Sequence, residues 1–394
     1  MQGRCAQRPC NLFMMAGIYI HFPFCRKKCI YCNFYSIVNT KKIEEYTETI
    51  VNEIRQNNYK EFSASHSNVL TVYFGGGTPT LLLVRSLEKI LNAIYENFNV
   101  DLTAEITIEG NPEQCSLEYL TALNKLGFNR ISIGVQSFNN DILHFLGRTH
   151  SGKDALQALE NAHKAGFNNI SVDLIYGIYL RSLQDWKQEL KTVFQLPVKH
   201  LSAYSLTVEE NTLLYKKIKQ KELPDIDDAI SLQEMNLLME EAEKNNFEHY
   251  EVSNFALKNY HSIHNSNYWN GTPYVGFGAS AHSFTGEFRY WNISNVEQYI
   301  NAIQNNKPCF EMEQLTPENQ YNEYVMLRLR TKEGVDLKHL EKNFGIEKRA
   351  YFLQALQTIA PTFYRNHSHQ ISITKEGLPL LDFITEKLLF TGII

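Results

Sequence analysis

The sequence YIHFPFCRKKCIYCNFYS spans residues 19–36 and places three cysteines within eight residues, directly after a short apolar run. The cysteines are Cys25, Cys29 and Cys32. A structural zinc site takes four closed ligands, whereas a [4Fe-4S] cluster bound by three thiolates leaves one iron open to an exogenous ligand. The spacing therefore favours such a cluster. The alternatives are a zinc site that uses His21 as its fourth ligand, and buried thiols without a metal.

Length, charge and composition narrow the class of protein. The chain has 394 residues, of which 43% are hydrophobic, and this length allows about two globular domains. Its net charge of −5 provides no basic field for a nucleic-acid backbone, and no apolar run reaches the ~20 residues that span a bilayer. Seven cysteines, an odd number, do not indicate a disulfide framework. We therefore expect a cytoplasmic protein that does not bind nucleic acid.

The first residues precede any regular pattern. Met14 or Met15 could equally serve as the start, so residues 1–13 are expected to be an unstructured extension. A charged start and a short apolar stretch imitate a signal peptide, but no small-residue cleavage site follows. The sequence gives no reason to assign a function to Cys5 or Cys10.

Short β-branched and aromatic runs alternate with segments of helical periodicity in the first half of the chain. The predicted strands are residues 17–22, 70–76, 104–110, 130–136, 169–177 and 200–208. Gly127 and Gly166 each stand between a helical segment and the next strand, as C-terminal cap residues do. This pattern predicts an α/β fold with a parallel sheet that curls into a partial barrel.

The C-terminal ends of these strands carry residues suited to a polar ligand. Strand two ends in GGGTPT, residues 75–80. Consecutive glycines let a ligand approach the backbone, and their N–H groups can form a nest for a carboxylate. Glu109, Gln136 and Asp173 lie toward the ends of the next three strands. Because parallel strands end at one edge of a sheet, we expect these side chains on a single rim.

The three cysteines, with Tyr31 just before the last of them, resemble the radical S-adenosylmethionine (radical SAM) signature. Further segments resemble the HemN/HemW family in the same order: VYFGGGTPT, RISIGVQSFNNDILHFLGRTH, VDLIYG, YEVSNFA and HNSNYWNGTPYVGFGASAH. The resemblance implies a radical SAM partial (β/α)6 TIM-like barrel with a C-terminal winged-helix-like α+β domain. It also implies that Cys25, Cys29 and Cys32 ligate a [4Fe-4S] cluster, with S-adenosylmethionine on the open iron.

The same resemblance implies the residues that contact S-adenosylmethionine. They are Tyr19, Tyr31, Gly76, Gly77, Thr78, Glu109, Gln136, Arg148 and Asp173. Carboxylates suit ribose hydroxyls and a sulfonium charge, and a guanidinium suits the ligand carboxylate. Some of these residues also have an interpretation that needs no ligand. The glycines could form a turn, Glu109 could cap a helix, and Arg148 could form a surface ion pair.

Two departures distinguish the branches of this family. Coproporphyrinogen-oxidising HemN proteins carry a fourth cysteine two positions after the third, and a long extension before the cluster. Here Asn33-Phe34 follows Cys32, and the motif begins at residue 25. Both departures resemble the HemW branch, which implies a haem chaperone. The alternative is an oxygen-independent coproporphyrinogen III oxidase, which forms protoporphyrinogen IX by oxidative decarboxylation; that activity is not expected here.

The segment HNSNYWNG, residues 264–271, is the second argument for this branch. His264, Tyr268 and Trp269 offer an imidazole and two flat rings, and in HemW relatives the segment is associated with haem binding. A histidine among aromatic residues is also typical of a hydrogen-bonded core position. His261 and His282 are the competing ligands.

The remaining expectations concern domains and partners. The predicted units are the barrel at 14–220, a connecting region at 221–300 and the winged-helix-like domain at 301–394, whose first helix starts at Thr316-Pro317. The expected partners are haem as cargo and acceptor haemoproteins. Peripheral membrane association and a homodimer are both compatible with the sequence.

Overall fold

The computed structural model describes residues 17–56 and 68–392. The predicted N-terminal extension, with Cys5, Cys10, Met14 and Met15, lies outside the described residues. Six parallel strands form the centre of the molecule. They are β1 (Gly17–Phe22), β2 (Val69–Gly76), β3 (Val100–Gly110), β4 (Arg130–Gln136), β5 (Asn169–Tyr176) and β6 (His200–Ser205). They lie side by side in chain order, which confirms the predicted parallel sheet.

Helices follow these strands and cover one face of the sheet. They are α1 (Ile43–Gln56), α2 (Val84–Asn97), α3 (Leu117–Lys125), α4 (Asn140–Leu146), α5 (Gly152–Lys164), α6 (Leu183–Gln195), α7 (Leu213–Lys219) and α8 (Asp228–Lys244). In β1, Ile18, Ile20 and Phe22 are fully buried in the core shared with these helices. Tyr19 and His21 alternate with them and face the other side, where the barrel interior lies.

Local sequence signals set the ends of several elements. Gly127 and Gly166 have φ of 101° and 98°, a region that glycine adopts without strain, as expected for residues that end helices. Strand β6 was predicted to reach residue 208 but ends at Ser205. Its partner β5 ends at Tyr176, and Gly177 turns away with φ of 78°, so the later residues have no parallel partner.

The sheet extends beyond the six central strands at both edges. Short antiparallel strands β7 (Glu248–Glu251) and β8 (Asn254–Ala256) follow β6. At the other edge β9 (Tyr274–Phe277) pairs with β1, and β10 (His282–Phe284), β11 (Phe288–Asn292) and β12 (Phe310–Gln314) follow. Two helices accompany them, α9 (Ile263–Trp269) and α10 (Val296–Gln304). Much of the predicted connecting region therefore belongs to one 12-stranded sheet.

The C-terminal part has its own sheet and its own hydrophobic core. Its elements are α11 (Pro317–Leu329), β13 (Val335–Asp336), α12 (Leu337–Phe344), α13 (Ile346–Leu356), β14 (Tyr364–His367), β15 (Gln370–Ile373) and α14 (Leu381–Leu388). The Thr316 hydroxyl accepts a hydrogen bond from Asn319 N, so α11 starts where the sequence predicted. The predicted α+β domain of helices and a hairpin is confirmed. Within the described ranges, no helix is long and apolar enough to cross a membrane.

Candidate functional site

A cavity of about 330 Å³ opens at the C-terminal ends of the parallel strands. Eleven of the predicted site residues line it: Cys25, Cys29, Tyr31, Cys32, Gly76, Gly77, Thr78, Glu109, Gln136, Arg148 and Asp173. Ten of them come from five strand ends or the loops that follow them, and Arg148 comes from the loop after α4. The sequence predicted only that these side chains lie at the same edge of the sheet. The fold brings them together around one cavity.

The loop after β1 presents the three cysteines to the cavity. Cys25 N donates to Ile37 O at 2.9 Å, which folds the loop back on itself. The Thr78 hydroxyl lies 3.6 Å from Cys25 Sγ, and Arg148 Nη1 lies 3.4 Å from Cys29 Sγ. Such donors stabilise a thiolate that is bound to iron.

The donor set fits an iron–sulfur cluster better than a single metal ion. In the part of the chain that is described, no three His, Cys, Asp or Glu side chains converge closely enough to hold one ion. His21, the proposed fourth zinc ligand, has both ring nitrogens engaged, with the Tyr19 hydroxyl at 3.1 Å and Tyr35 O at 3.2 Å. Three half-buried thiols that line one cavity suit a [4Fe-4S] cluster with one open iron.

Burial changes the protonation of these thiols. Desolvation raises the pKa of Cys25 and of Cys32 above the ordinary thiol value. Both thiols are therefore protonated at neutral pH until iron displaces the protons.

The glycines after β2 allow close packing but do not form the predicted anion nest. A Cβ on Gly76 would lie 2.7 Å from the His21 ring, and one on Gly77 would lie 2.7 Å from Phe24 O. The three backbone N–H groups are already used. Gly76 N donates to Glu109 Oε2, Gly77 N to Phe22 O and Thr78 N to Phe24 O. The nest expectation was wrong because backbone and carboxylate acceptors take these donors.

Two carboxyl groups face the cavity from β3 and β5. Glu109 accepts hydrogen bonds from the Tyr73 hydroxyl at 2.7 Å and from Gly76 N at 3.1 Å, so it is not a helix cap. Desolvation raises the pKa of Glu109 to about 7. Asp173 accepts from the Ser132 hydroxyl at 2.9 Å, and desolvation also raises its pKa. Both groups lie ready to accept hydrogen bonds from hydroxyl groups of a ligand.

Arg148 is anchored inside the site and is not a surface ion pair. Its Nη2 donates to Asn111 Oδ1 at 2.6 Å and to Gly134 O at 2.8 Å. Asn111 also donates to the Thr78 hydroxyl at 3.2 Å, so it links two predicted ligand contacts. Sequence reasoning assigned Asn111 no role, although it lies in the EGNPE segment that ends strand three.

Gln136 reaches the cavity from a strained position. Its φ is 65°, a left-handed conformation that is uncommon for residues other than glycine. The next turn is held by the buried Glu189 carboxylate, which accepts hydrogen bonds from the Ser137 hydroxyl and from Phe138 N at 2.7 Å. Arg181 in turn donates to Glu189 at 2.6 Å. No short motif signals this support, because its members come from different elements.

Tyr19 does not line the cavity. Its hydroxyl bonds to His21 Nδ1, and its ring stacks on Tyr73 with centroids 6.1 Å apart. Burial raises the pKa of Tyr19 well above its ordinary value. The side chain lies in the barrel interior, one layer below Glu109. Its contact with the cofactor stays a prediction.

The predicted haem segment forms α9, which packs against the start of β1 and β2. His264 is buried, with Nδ1 2.8 Å from the Thr71 hydroxyl and Nε2 2.9 Å from the Tyr268 hydroxyl. Desolvation lowers the pKa of His264 to about 3. His264 is thus a buried, hydrogen-bonded histidine in this structure, and iron ligation would require one of these two hydrogen bonds to break. Its role as a haem ligand stays a prediction.

The two competing histidines differ in their surroundings. His261 Nε2 lies 3.1 Å from Glu248, and its ring stacks on Tyr250 with centroids 4.1 Å apart. His282 lies on β10 and is exposed. Trp269, like Tyr268, is half-buried. The structure separates all four residues from the cysteine-lined cavity, since none of them lines it.

Comparison with known proteins was consistent with this architecture. The model of the radical SAM superfamily matches residues 19–193, and that of the HemN C-terminal domain matches residues 315–380. The chain is 34% identical to the heme chaperone HemW of Lactococcus lactis subsp. lactis (strain IL1403), over 95% of this chain and 97% of that protein. It is 32% identical to the heme chaperone HemW of Bacillus subtilis (strain 168), over 92% and 96% of the two chains.

A solved structure shows the same fold. Coproporphyrinogen III oxidase (HemN) from Escherichia coli, a radical SAM enzyme, superposes with a TM-score of 0.82 at 24% identity, over 96% of this chain and 91% of that chain. The likeness to HemW proteins extends over nearly the whole length of both chains and exceeds 30% identity. The chain therefore belongs to the HemW family of the radical SAM superfamily.

Proposed function

We propose that this protein is a cytoplasmic haem chaperone, which binds haem and transfers it to acceptor haemoproteins from a radical SAM scaffold. The observation that carries the proposal is the full-length similarity to proteins named heme chaperone HemW. Peripheral membrane association and a homodimer are further proposals, since either would bring the carrier close to an acceptor.

The cavity residues have the chemistry to hold the two cofactors of the superfamily. Cys25, Cys29 and Cys32 would ligate a [4Fe-4S] cluster, with its open iron available to the amino and carboxylate groups of S-adenosylmethionine. When bound and reduced, the cluster would supply the electron for the reductive cleavage of a carbon–sulfur bond of S-adenosylmethionine.

Around that ligand, this chain's own side chains bind and orient. Glu109 and Asp173 would accept hydrogen bonds from ribose hydroxyls, and Arg148 would hold charge near the Cys29 thiolate. A side chain at Gly76 or Gly77 would collide with the His21 ring or with Phe24 O, so these glycines preserve the packing of the wall that the ligand would contact.

The enzymatic alternative, coproporphyrinogen III oxidation, is less well supported. The position of the fourth cysteine of HemN proteins is occupied by Phe34, which is 71% exposed. The preceding Asn33 is also exposed and donates to Glu209 at 3.4 Å. The site therefore lacks the additional thiol that the sequence comparison associated with the oxidising branch.

One experiment separates the two functions. Anaerobically reconstituted protein is divided: one portion receives haem and is monitored for a Soret shift, and the other receives coproporphyrinogen III, S-adenosylmethionine and a reductant. We expect haem binding without protoporphyrinogen. Formation of protoporphyrinogen at enzymatic rates would contradict the chaperone proposal and support the oxidase.

A matched pair of variants tests the cluster. Cys29→Ala removes one ligand from the cavity, so the visible iron–sulfur absorbance and the bound iron should be lost. Cys309→Ala removes a buried thiol that does not line the cavity, and should leave both unchanged. Full iron content in Cys29→Ala would refute the assignment of the ligands.

A further inference from the structure

We propose that Thr71 is the positioning residue for haem ligation by His264: its hydroxyl accepts the Nδ1 proton of the imidazole and keeps this contact, while the Tyr268 hydroxyl leaves Nε2 to the iron. The inference rests on the proposed function and on the predicted ligation by His264. It adds a residue of the central sheet to the haem site, and it states which of the two hydrogen bonds of the imidazole breaks.

The Nδ1 edge of the imidazole is closed by the central sheet. Thr71 lies on β2 and is fully buried, and its hydroxyl is 2.8 Å from Nδ1. Gly17, the register partner of Thr71 on β1, passes beside the same edge. A Cβ atom on Gly17 would lie 2.8 Å from Thr71 Oγ1 and 3.2 Å from His264 Nδ1. Because even a methyl group does not fit here, a porphyrin cannot reach Nδ1.

The Nε2 edge faces a side chain that can move. The Tyr268 hydroxyl lies 2.9 Å from Nε2, and its ring meets the imidazole edge-on, with centroids 5.0 Å apart. Tyr268 is half-buried and belongs to the seven-residue helix α9, whereas Thr71 belongs to a central strand. A half-buried side chain on a short helix rotates more easily than a central strand shifts. Iron therefore takes Nε2 once the Tyr268 hydroxyl has left it.

Two central strands hold the histidine in place. Glu105 on β3 is buried, and its carboxylate accepts hydrogen bonds from His264 N at 3.0 Å and from Ile263 N at 3.3 Å. The Tyr73 ring on β2 stacks on the imidazole, with centroids 4.9 Å apart and planes 23° apart. With Thr71, these contacts fix both the backbone and the ring plane of His264, as the groups behind a metal-bound histidine do.

Further groups on and beside α9 fit a dianionic haem. Asn267 Nδ2 and Trp269 Nε1 are buried donors, and neither has an acceptor in the part of the chain that the structure describes. Arg328 of the C-terminal domain donates to Asn270 Oδ1 at 2.5 Å, just after α9, and its ion pair with Glu333 is long, at 3.9 Å. The two carboxylates of a haem can accept hydrogen bonds from such donors and meet the guanidinium.

The contact with Thr71 acts on the iron as well as on the ring. A histidine that donates its second N–H is a more basic metal ligand. A more basic axial ligand stabilises ferric over ferrous iron, and so lowers the reduction potential of the bound haem. A threonine that merely packs in the core would not change this potential.

The test compares full-length wild type, Thr71→Val and Thr71→Ser by haem titration and spectroelectrochemistry. Thr71→Val removes the hydroxyl and keeps the shape, so we expect ~10- to 100-fold weaker haem binding and a higher reduction potential of the bound haem. Thr71→Ser returns the hydroxyl and should move both quantities back toward the wild type. Circular dichroism checks the fold of each variant, and Thr71→Ala replaces Thr71→Val if the latter does not fold.

Thr107→Val is the matched control. Thr107 lies on the neighbouring strand β3 and is also fully buried, but its hydroxyl has no partner within the described residues. We expect this variant to bind haem with the affinity and the reduction potential of the wild type.

A second variant tests the contact that breaks. Tyr268→Phe keeps the ring but removes the hydroxyl from Nε2, so haem no longer has to displace it. Haem association, followed by stopped-flow absorbance in the Soret region, should be ~2- to 10-fold faster, the factor that corresponds to one neutral hydrogen bond.

Contrary results are distinguishable. Wild-type affinity and potential in a folded Thr71→Val would overturn the role of Thr71, and an unchanged or slower association in Tyr268→Phe would overturn the displacement of its hydroxyl. Unaltered haem binding in His264→Ala would place the iron ligand elsewhere, which overturns this inference and leaves the chaperone proposal intact. A wild type that binds no haem would overturn the proposed function itself.

Discussion

Glu109 shows how a single residue can combine a structural contact with a ligand contact. Its carboxylate accepts hydrogen bonds from Tyr73 and Gly76, yet it also lines the cavity. Burial in the cavity wall raises the pKa of Glu109 to about 7, so the charge of this side chain changes as the pH passes through 7. A carboxylate binds ribose hydroxyls and a sulfonium cation better than a neutral carboxyl does.

We therefore predict that S-adenosylmethionine binding strengthens as the pH rises from 6 to 8, through the pKa of about 7 that Glu109 has in the free protein. Glu109→Gln should bind more weakly at pH 8 and show a flatter pH profile. The measurement is the dissociation constant of the oxidised, cluster-loaded protein at each pH. An unchanged profile in Glu109→Gln would mean that another group titrates.

The raised pKa of Glu109 affects ligand binding and folding stability in opposite directions. The folded state holds the proton up to a pKa of about 7, whereas the unfolded chain releases it near 4.5. The folded state therefore binds more protons in this window, and the contribution of Glu109 to the free energy of unfolding falls as the pH rises through it.

The predicted residues that line the cavity carry a local sequence signal, and the residues that were missed act through contacts between distant parts of the chain. The cysteines and Glu109 stand in short motifs, and all of them line the cavity. Asn111 and Glu189 act through contacts with residues distant in the sequence, so spacing could not identify them. The glycine nest failed for the same reason, since Phe22, Phe24 and Glu109 take its donors.

At the scale of elements, the six central strands were predictable because each is a short run rich in β-branched or aromatic residues that alternates with helical segments. The edge strands were missed because β10 has three residues, and three of the five residues of β11 are only half-buried. These edge segments form strands because they pair with neighbouring strands, and not because of their amino-acid composition. A further feature without sequence signal is the buried network in which Arg181 contacts Glu189 of α6 and Glu234 of α8.

Arg181 joins two helices to the loops that border the cavity. It donates to Glu189 of α6 at 2.6 Å and to Glu234 of α8 at 2.8 Å, and all three side chains are buried. Glu234 also accepts from Gly177 N at 2.6 Å, just after β5. The network therefore fixes the turns that follow β4 and β5.

We predict that Arg181→Met lowers the free energy of unfolding by about 3–5 kcal/mol, because it leaves two buried carboxylates without their cation. Arg85→Met is the control: its pair with Glu44 is exposed, so the loss should be about 0–1 kcal/mol. Urea denaturation of both variants measures the difference. Similar losses in the two variants would show that the buried network does not stabilise the fold as proposed.

At the scale of the whole molecule, the barrel and the C-terminal domain have separate hydrophobic cores but touch along the sheet edge. Val252 N donates to Arg330 O at 2.9 Å, and Lys332 N donates to Tyr250 O at 3.1 Å. The pattern of strands and helices predicted two kinds of unit, but backbone contacts of this kind leave no pattern in the sequence. The predicted boundaries at 220 and 300 remain predictions.

The cavity draws its walls from loops of the entire barrel, so ligand binding there should stabilise the whole molecule. S-adenosylmethionine needs the open iron, which requires all three cysteines. In the oxidised, cluster-loaded protein, a ligand concentration of 100 times Kd should add about 2.7 kcal/mol to the free energy of unfolding and raise Tm. Cys29→Ala should show little increase, whereas Cys309→Ala should match the wild type. The measurement is thermal unfolding with and without the ligand under anaerobic conditions. An equal rise of Tm in Cys29→Ala would show that Glu109, Arg148 and Asp173 bind the ligand without the cluster, and that the iron contributes little to its affinity.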